Sequence, residues 1–168
     1  KILENNKITY THSDSKVSKI AFDKNLTKTK IKNSEVVFLE SIILDKSQIT
    51  IDQFYKAYSK FSSFVLKPVS SGSSFGVKIF VSINDIEKFF SNYKNEIKTY
   101  NNIKKLMIEK YINGRELTVT VFENNGRSQS VEVTEIISKN LFFDYKAKYT
   151  RGLSQHILPA NLPKNVYH

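Results

Sequence analysis

Apolar residues along this chain fall into three patterns, and each predicts a different kind of element. Helical spacing appears at Val17, Ile20, Ala21 and Leu26, behind the polar cluster His12-Ser-Asp-Ser15 that suits a helix N-cap. It returns at Phe54, Ala57, Tyr58 and Phe61, with Thr50 or Asp52 as cap, and at Ile86, Phe89, Phe90, Tyr93 and Ile97, with Ser82 or Asn84 as cap. These stripes predict helices that each bury one face. Alternation appears from Glu116 to Phe122, where Leu117, Val119 and Val121 oppose Thr118 and Thr120, predicting a strand with one dry face. Asn124-Asn-Gly126 is a hairpin turn into a second alternating strand through Val131, Val133 and Ile136.

Continuous apolar runs supply the remaining strands. Val36 to Leu44, interrupted by Glu40, allows one or two strands before the turn Asp45-Lys-Ser47. Phe64-Val-Leu66 is a short buried strand closed by Lys67-Pro68, and Val77 to Val81 is its partner beyond a polar loop. Leu106 to Ile112 is a further strand ending at Asn113-Gly114. Short turns between these runs predict antiparallel pairing. In the tail, Phe142-Phe-Asp-Tyr-Lys-Ala-Lys-Tyr149 and Thr150-Arg-Gly-Leu153 form an aromatic and cationic segment, and Pro159 and Pro163 prevent a long helix after it. A segment of that length and character predicts a lid. There is no internal repeat and no low-complexity stretch.

The loop Ser70 to Gly76 carries the first hint of chemistry. Its Ser and Gly residues can let backbone N–H groups turn around an anion, with Lys67 adding a positive charge beside it. It does not fit the P-loop pattern, because a strand follows where that motif needs Gly-Lys-Ser/Thr and a helix. Taken alone, the loop reads better as an ordinary hairpin whose Ser and Gly residues only serve the turn. Lys24 and Lys28, four residues apart, share one helix face, which spacing alone reads as a solvated flank.

Composition narrows the classes. With 168 residues and 40% hydrophobic content, the chain can build one substantial core or two small subdomains. No apolar run approaches the ~20 residues needed to span a bilayer, and the first residues are too polar for a signal peptide, so a cytoplasmic protein without membrane association is expected. The absence of Cys excludes disulfide scaffolds, thiolate zinc sites and Cys nucleophiles. A net charge of +10 would suit nucleic acid, but the cations are mostly Lys scattered among Glu, Asp and Asn, with no Arg-rich arm or nucleic-acid module. No nucleic-acid partner is expected.

Several stretches occur together in a recognisable order: Thr9-Tyr-Thr-His-Ser13, Ala21-Phe-Asp-Lys24 with Thr27-Lys28, Val65-Leu-Lys-Pro68 with Gly72-Ser-Ser-Phe-Gly76, Ile108-Glu-Lys-Tyr-Ile-Asn-Gly-Arg-Glu116, Phe143-Asp-Tyr-Lys-Ala-Lys-Tyr149 and Leu158-Pro-Ala-Asn-Leu-Pro163. By these the chain resembles the ATP-grasp ligases, most closely the D-alanine:D-alanine ligase family. The resemblance implies an α+β ATP-grasp fold, with antiparallel sheets flanked by helices and a nucleotide cleft between two subdomains. It also implies that the chain is an incomplete, central portion of such an enzyme. Residues 1–16 would end the preceding domain, 17–114 form the central ATP-grasp subdomain, and 115–168 begin the C-terminal one with its lid.

The resemblance implies a role for particular residues. Lys24 and Lys67 would contact the phosphates of ATP, and Ser73, Ser74 and the backbone around Gly72 and Gly76 would form a flap over them. Glu109, Lys110, Tyr111 and Ile112 would form the adenine hinge, with Glu109 taking the exocyclic amine, the Lys110 carbonyl and Ile112 N–H facing the base, and Tyr111 lying against it. Glu116 would take the ribose hydroxyls, and Lys148 would close onto the γ-phosphate. Ser73 and Tyr149 would orient the substrate, D-alanine. Without the resemblance, Glu116 reads as a strand acid and Tyr149 as a packing aromatic.

The implied reaction joins two D-alanines for peptidoglycan synthesis, through an acyl phosphate made from ATP. Magnesium is implied too, with ligands beyond this segment, and the full-length protein is expected to be a homodimer. Asp14 stands where the family usually has Gly, Phe22 where it has Met, and Lys146 where an acid is common. A D-alanine:D-lactate ligase, another carboxylate–amine ligase, and a non-catalytic basic binding module remain the alternatives. Tyr149 favours the dipeptide enzyme over the depsipeptide one.

Overall fold

The computed structural model describes residues 1–32 and 35–166. Asn33, Ser34, Tyr167 and His168 lie outside the described residues, the last two within the expected C-terminal segment. The chain divides into two compact units, Lys1–Tyr111 and Ile112–His168.

In the first unit, α1 (Ile2–Asn5) precedes α2 (Ser15–Phe22) and α3 (Lys24–Lys30). Asp14 caps α2 by accepting the Val17 N–H, as the polar cluster predicts. The single helix expected through Leu26 is instead broken at Asp23, which sits in extended backbone and starts α3 by accepting the Leu26 N–H at 2.9 Å. Its apolar stripe is not buried either: Val17 and Leu26 are exposed.

Strand β1 (Ser41–Asp45) uses only the end of the Val36–Leu44 run. Its pairing with the central strand starts at Ser41, and the Leu39 carbonyl accepts a bond from Lys28 Nζ at 2.7 Å instead of a ladder partner. After β1, Asp45 caps a short 3₁₀ turn, Lys46–Gln48. Helix α4 (Ile51–Phe61) follows the predicted stripe, with Thr50 and Gln53 forming a capping box and Phe54, Ala57 and Phe61 buried.

Strands β2 (Phe64–Pro68) and β3 (Lys78–Phe80) form the expected hairpin. Helix α5 (Ile83–Ser91) is capped by Ser82, whose hydroxyl accepts from Asp85. The helical spacing continues to Ile97, but Asn92 interrupts the helix; α6 (Tyr93–Glu96) and a 3₁₀ turn (Ile97–Tyr100) complete it. Strand β4 (Lys105–Lys110) then enters the sheet between β1 and β2, giving four strands in the order β1-β4-β2-β3, all antiparallel.

This sheet has two unlike faces. Phe64, Leu66, Phe80, Leu106 and Ile108 point into the core with Phe54, Ala57, Ile86 and Phe89 from α4 and α5. Phe54 is the hub, its ring 5.0 to 5.6 Å from those of Phe64, Phe80, Phe89 and Phe90. Residues of the opposite parity, including Val65, Lys67, Met107 and Glu109, project from the other face.

The second unit holds β5 (Glu116–Asn124), β6 (Arg127–Ser138), α7 (Tyr145–Tyr149) and β7 (Ser154–Ile157), with an antiparallel sheet in the order β5-β6-β7. The β5–β6 turn is as predicted, with Asn125 and Gly126 at φ 52° and 74°, the left-handed values a two-residue hairpin needs. The dry face is not found. Leu117, Val119 and Val121 are all exposed, the register slips between Val119 and Val121, and among the described residues of this unit only Ala147 and Ala160 are buried. Alternation specifies which residues share a face, whereas dryness needs a second layer.

Replacing Phe54 by Ala empties the centre of the first unit's aromatic core and should cost about 3–5 kcal/mol. The urea midpoint of unfolding measures it; a shift corresponding to under about 1 kcal/mol would show that the core does not depend on Phe54.

Candidate functional site

The polar face of the first sheet is organised by strand register. Lys67 on β2 lies opposite Met107 on β4, so Glu109, two residues along, is its diagonal neighbour on the same face. The Lys67 ammonium bonds to Glu109 Oε2. The other oxygen, Oε1, accepts from Lys28 Nζ on α3. Glu109 is only 6% exposed, and is the buried charged residue of the described chain. Burial alone would push its pKa up, but the bonds from Lys28 and Lys67 outweigh that and hold it below the usual carboxylate range.

Helix α3 is fastened to the β2–β3 loop by Asp23 and Lys24. Asp23 forms an antiparallel bridge with Ser70 and accepts the Ser70 hydroxyl at 3.2 Å, while the Lys24 N–H donates to the Val69 carbonyl at 3.0 Å. Lys24 Nζ then reaches the Ser71 carbonyl at 3.0 Å. Burial and the nearby Lys67 charge lower the Lys24 pKa, against the opposing pull of Glu109 and Asp23. Two close cations with partly lost hydration are a favourable setting for an anion.

The loop itself is tightly turned. Ser73, Ser74 and Gly76 have φ of 52°, 57° and 68°. Phe75 N–H bonds to the Gly72 carbonyl at 3.0 Å and Val77 N–H to that of Ser74 at 3.3 Å. Gly76 is required: a Cβ there would lie 2.8 Å from the Tyr100 ring, whose hydroxyl donates to the Gly76 carbonyl at 2.8 Å. By contrast, nothing lies within 4 Å of a Cβ on Gly72. The loop is thus anchored at Ser70 and Ser71 and again at Gly76, with open space around Gly72 between them.

Of the predicted hinge, Glu109 and Lys110 end β4, and Tyr111 N–H bonds to the Ser63 carbonyl at 3.0 Å. Lys110 is exposed and Tyr111 half-buried. Ile112 is exposed and opens the second unit.

In the second unit, Glu116 begins β5, and its Oε1 accepts the Phe143 N–H at 3.3 Å. Glu116 Oε2 is buried and has no hydrogen-bond partner. An unpaired buried carboxylate oxygen is costly, and it fits a ligand hydroxyl or N–H donor. Just beyond Phe143, Asp144 caps α7 by accepting the Ala147 N–H at 2.7 Å and is held by Asn140 at 2.9 and 3.0 Å. That helix carries Lys148, whose ammonium lies 5.3 Å from the Phe143 ring centre, and the exposed Tyr149, 4.7 Å from Tyr145 ring to ring. The segment expected as a lid loop is therefore a capped helical turn followed by a strand paired to β6.

The structure brings Lys24, Lys67 and Glu109 together in the first unit, and links Glu116 to the start of the Phe143–Tyr149 segment in the second. Spacing alone places Lys28 on a solvated flank. Its i,i+4 relation to Lys24 was the available signal, but only the docking of α3 on β4 reveals its partner. Among the described residues no group of three or more His, Cys, Asp or Glu is placed to hold a metal. No described helix is long and apolar enough to cross a membrane.

Comparison with known proteins gives a consistent result. The family described as "D-ala D-ala ligase C-terminus" matches residues 26–168. A D-alanine–D-alanine ligase of Zymomonas mobilis is 38% identical over 161 residues, which cover 95% of this chain and 46% of that protein. The crystal structure of a D-alanine–D-alanine ligase from Bacillus anthracis shares the fold at a TM-score of 0.70 and 27% identity, over 99% of this chain and 50% of that one. A structure of a Bacillus anthracis ligase complexed with ATP aligns at a TM-score of 0.64 and 23% identity, over 96% of this chain and 47% of that one. The chain thus spans about half the length of the relatives it matches.

Because Glu109 has a depressed pKa in the folded state, its contribution to stability is complete above the ordinary Glu range and is lost as pH falls through the lowered value. Glu109→Gln should remove that pH-dependent part and leave Lys28 and Lys67 mutually repelling, at a cost of about 3 kcal/mol near neutrality. Urea titrations at several pH values check this; equal slopes of stability against pH in the two proteins would refute it.

Proposed function

The chain belongs to the D-ala D-ala ligase family, with an α+β ATP-grasp fold, and on that footing we propose that it is the nucleotide-binding portion of an ATP-dependent ligase that joins two D-alanines. The observation that carries the proposal is the cation cluster. Lys24 and Lys67 crowd one another beside a turned Ser/Gly loop, the setting a polyphosphate would relieve.

In this reading residues 17–114 are the central subdomain, 1–16 close the preceding domain, and 115–168 open the C-terminal subdomain. Lys24 and Lys67 hold phosphate oxygens, with Ser73, Ser74 and the loop backbone over them. Glu109, Lys110, Tyr111 and Ile112 meet the adenine. Glu116 Oε2 accepts a ribose hydroxyl, which would supply the partner that this buried oxygen lacks. Lys148 adds charge at the γ-phosphate, and Ser73 and Tyr149 orient D-alanine.

ATP serves as a substrate: one D-alanine carboxylate attacks the γ-phosphate, breaking its bond to the bridging oxygen and releasing ADP, and the amine of a second D-alanine, losing a proton, displaces phosphate from the acyl phosphate. Charge grows on oxygen in both steps, so the fixed cations contribute more than a protein nucleophile would. Magnesium, when bound, would add to this charge stabilisation, although no group of three or more His, Cys, Asp or Glu among the described residues is placed to hold it. The resemblance further implies a cytoplasmic homodimer.

The intact protein given ATP and D-alanine should form D-alanyl-D-alanine and phosphate in equal amounts, and D-lactate should not replace the second D-alanine. Lys67→Ala should lower the rate roughly 10²–10³-fold. Salt-sensitive nucleic-acid binding, with no thermal stabilisation by ATP or ADP, would instead support a basic binding module and overturn the proposal.

A further inference from the structure

Glu109 has more counter-charge than a strand pair requires: Lys67 occupies one oxygen and Lys28, from a different element, the other. We propose that Lys28 is a positioning residue for nucleotide binding, keeping Glu109 charged and in place when Lys67 turns from the carboxylate to a phosphate. The inference rests on the nucleotide reading above and assigns a role to a residue which that reading leaves idle.

The argument begins with competition. A phosphate drawn to Lys67 and Glu109 Oε2 both seek the same ammonium, and the two anions repel each other. If Lys67 were the sole partner of Glu109, moving it would strand a buried carboxylate, and such groups take a proton rather than remain charged and unpaired. With Lys28 on Oε1, the carboxylate keeps one full charge-assisted bond throughout.

Lys28 is well held for this task. Its side chain is 19% exposed, its Nζ also donates to the Leu39 carbonyl at 2.7 Å, and its helix is pinned at the other end by Asp23 and Lys24. The two lysines on this helix face therefore differ. Lys24 reaches the Ser71 carbonyl in the loop, whereas Lys28 reaches the carboxylate. The charged groups facing Glu109 are Lys28 from α3 and Lys67 from β2, with Lys24 near enough to feel its charge and Asp23 behind Lys24. On β1 the residue paired with Glu109 is Ser41, which does not titrate in this range.

The test is calorimetric titration of the intact protein with Mg-ADP, repeated in buffers of different ionisation enthalpy so that proton uptake is counted. Lys28→Met should weaken Mg-ADP roughly ten- to hundredfold. It should also add proton uptake that wild type lacks, so that its affinity falls as pH rises through the raised Glu109 pKa of the bound form. Lys28→Arg should restore affinity and remove the extra uptake, and Lys28→Gln carries the same expectation as Met should the latter fold poorly. If wild type does not bind Mg-ADP, the nucleotide reading itself fails. If wild type binds and the neutral variants show no extra proton uptake, whatever their affinity, the inference alone is overturned.

Discussion

A buried carboxylate shared by two lysines is the constraint on which the first unit's functional face depends. Glu109 is tolerable inside the protein only because Lys67 and Lys28 each cover one of its oxygens. That requirement ties together elements distant in sequence. The β2–β4 register must set Lys67 diagonal to Glu109, since a one-residue slip would send Lys67 to the aromatic core. Helix α3 must dock so that its second lysine reaches the same carboxylate, and the Asp23–Ser70 bridge fixes where that helix starts. The Ser70–Gly76 loop is thus attached to the helix that supplies Lys24 and follows the strand that supplies Lys67, which is how a turn becomes a candidate phosphate site.

The second unit uses a carboxylate in the opposite way. Glu116 is half satisfied: one oxygen holds the Phe143 amide and the other is buried without a partner. From Phe143 the chain passes at once to Asp144, the cap of α7, so the acid that would hold a ribose also steadies the approach to Lys148 and Tyr149. The first unit shows a polar group stabilised by surplus partners, and the second shows one short of them.

Much of this was legible in the sequence. The capping residues Asp14, Thr50 and Ser82, the Asn125-Gly126 turn and the stripe from Phe54 to Phe61 announce their elements through local chemistry. Order among the motifs identified the fold, because a set spread from Thr9 to Pro163 is far more specific than any one member. What failed were inferences about burial. Val17, Leu26, Leu117 and Val119 have the right spacing but no layer over them among the described residues, and periodicity cannot tell whether a layer exists. The role of Lys28 escapes sequence reasoning for a similar reason. Spacing placed it beside Lys24, but its partner lies 81 residues away and is found only through tertiary docking.

The central claim is that Glu109 stays ionised because two ammonium groups share it. Carbon-13 NMR of the side-chain carboxyl, assigned by the signal that Glu109→Gln removes, reads that ionisation directly during a pH titration. The account predicts a midpoint below the ordinary glutamate range. A midpoint at or above that range would mean that burial prevails over the two lysines, and would contradict it.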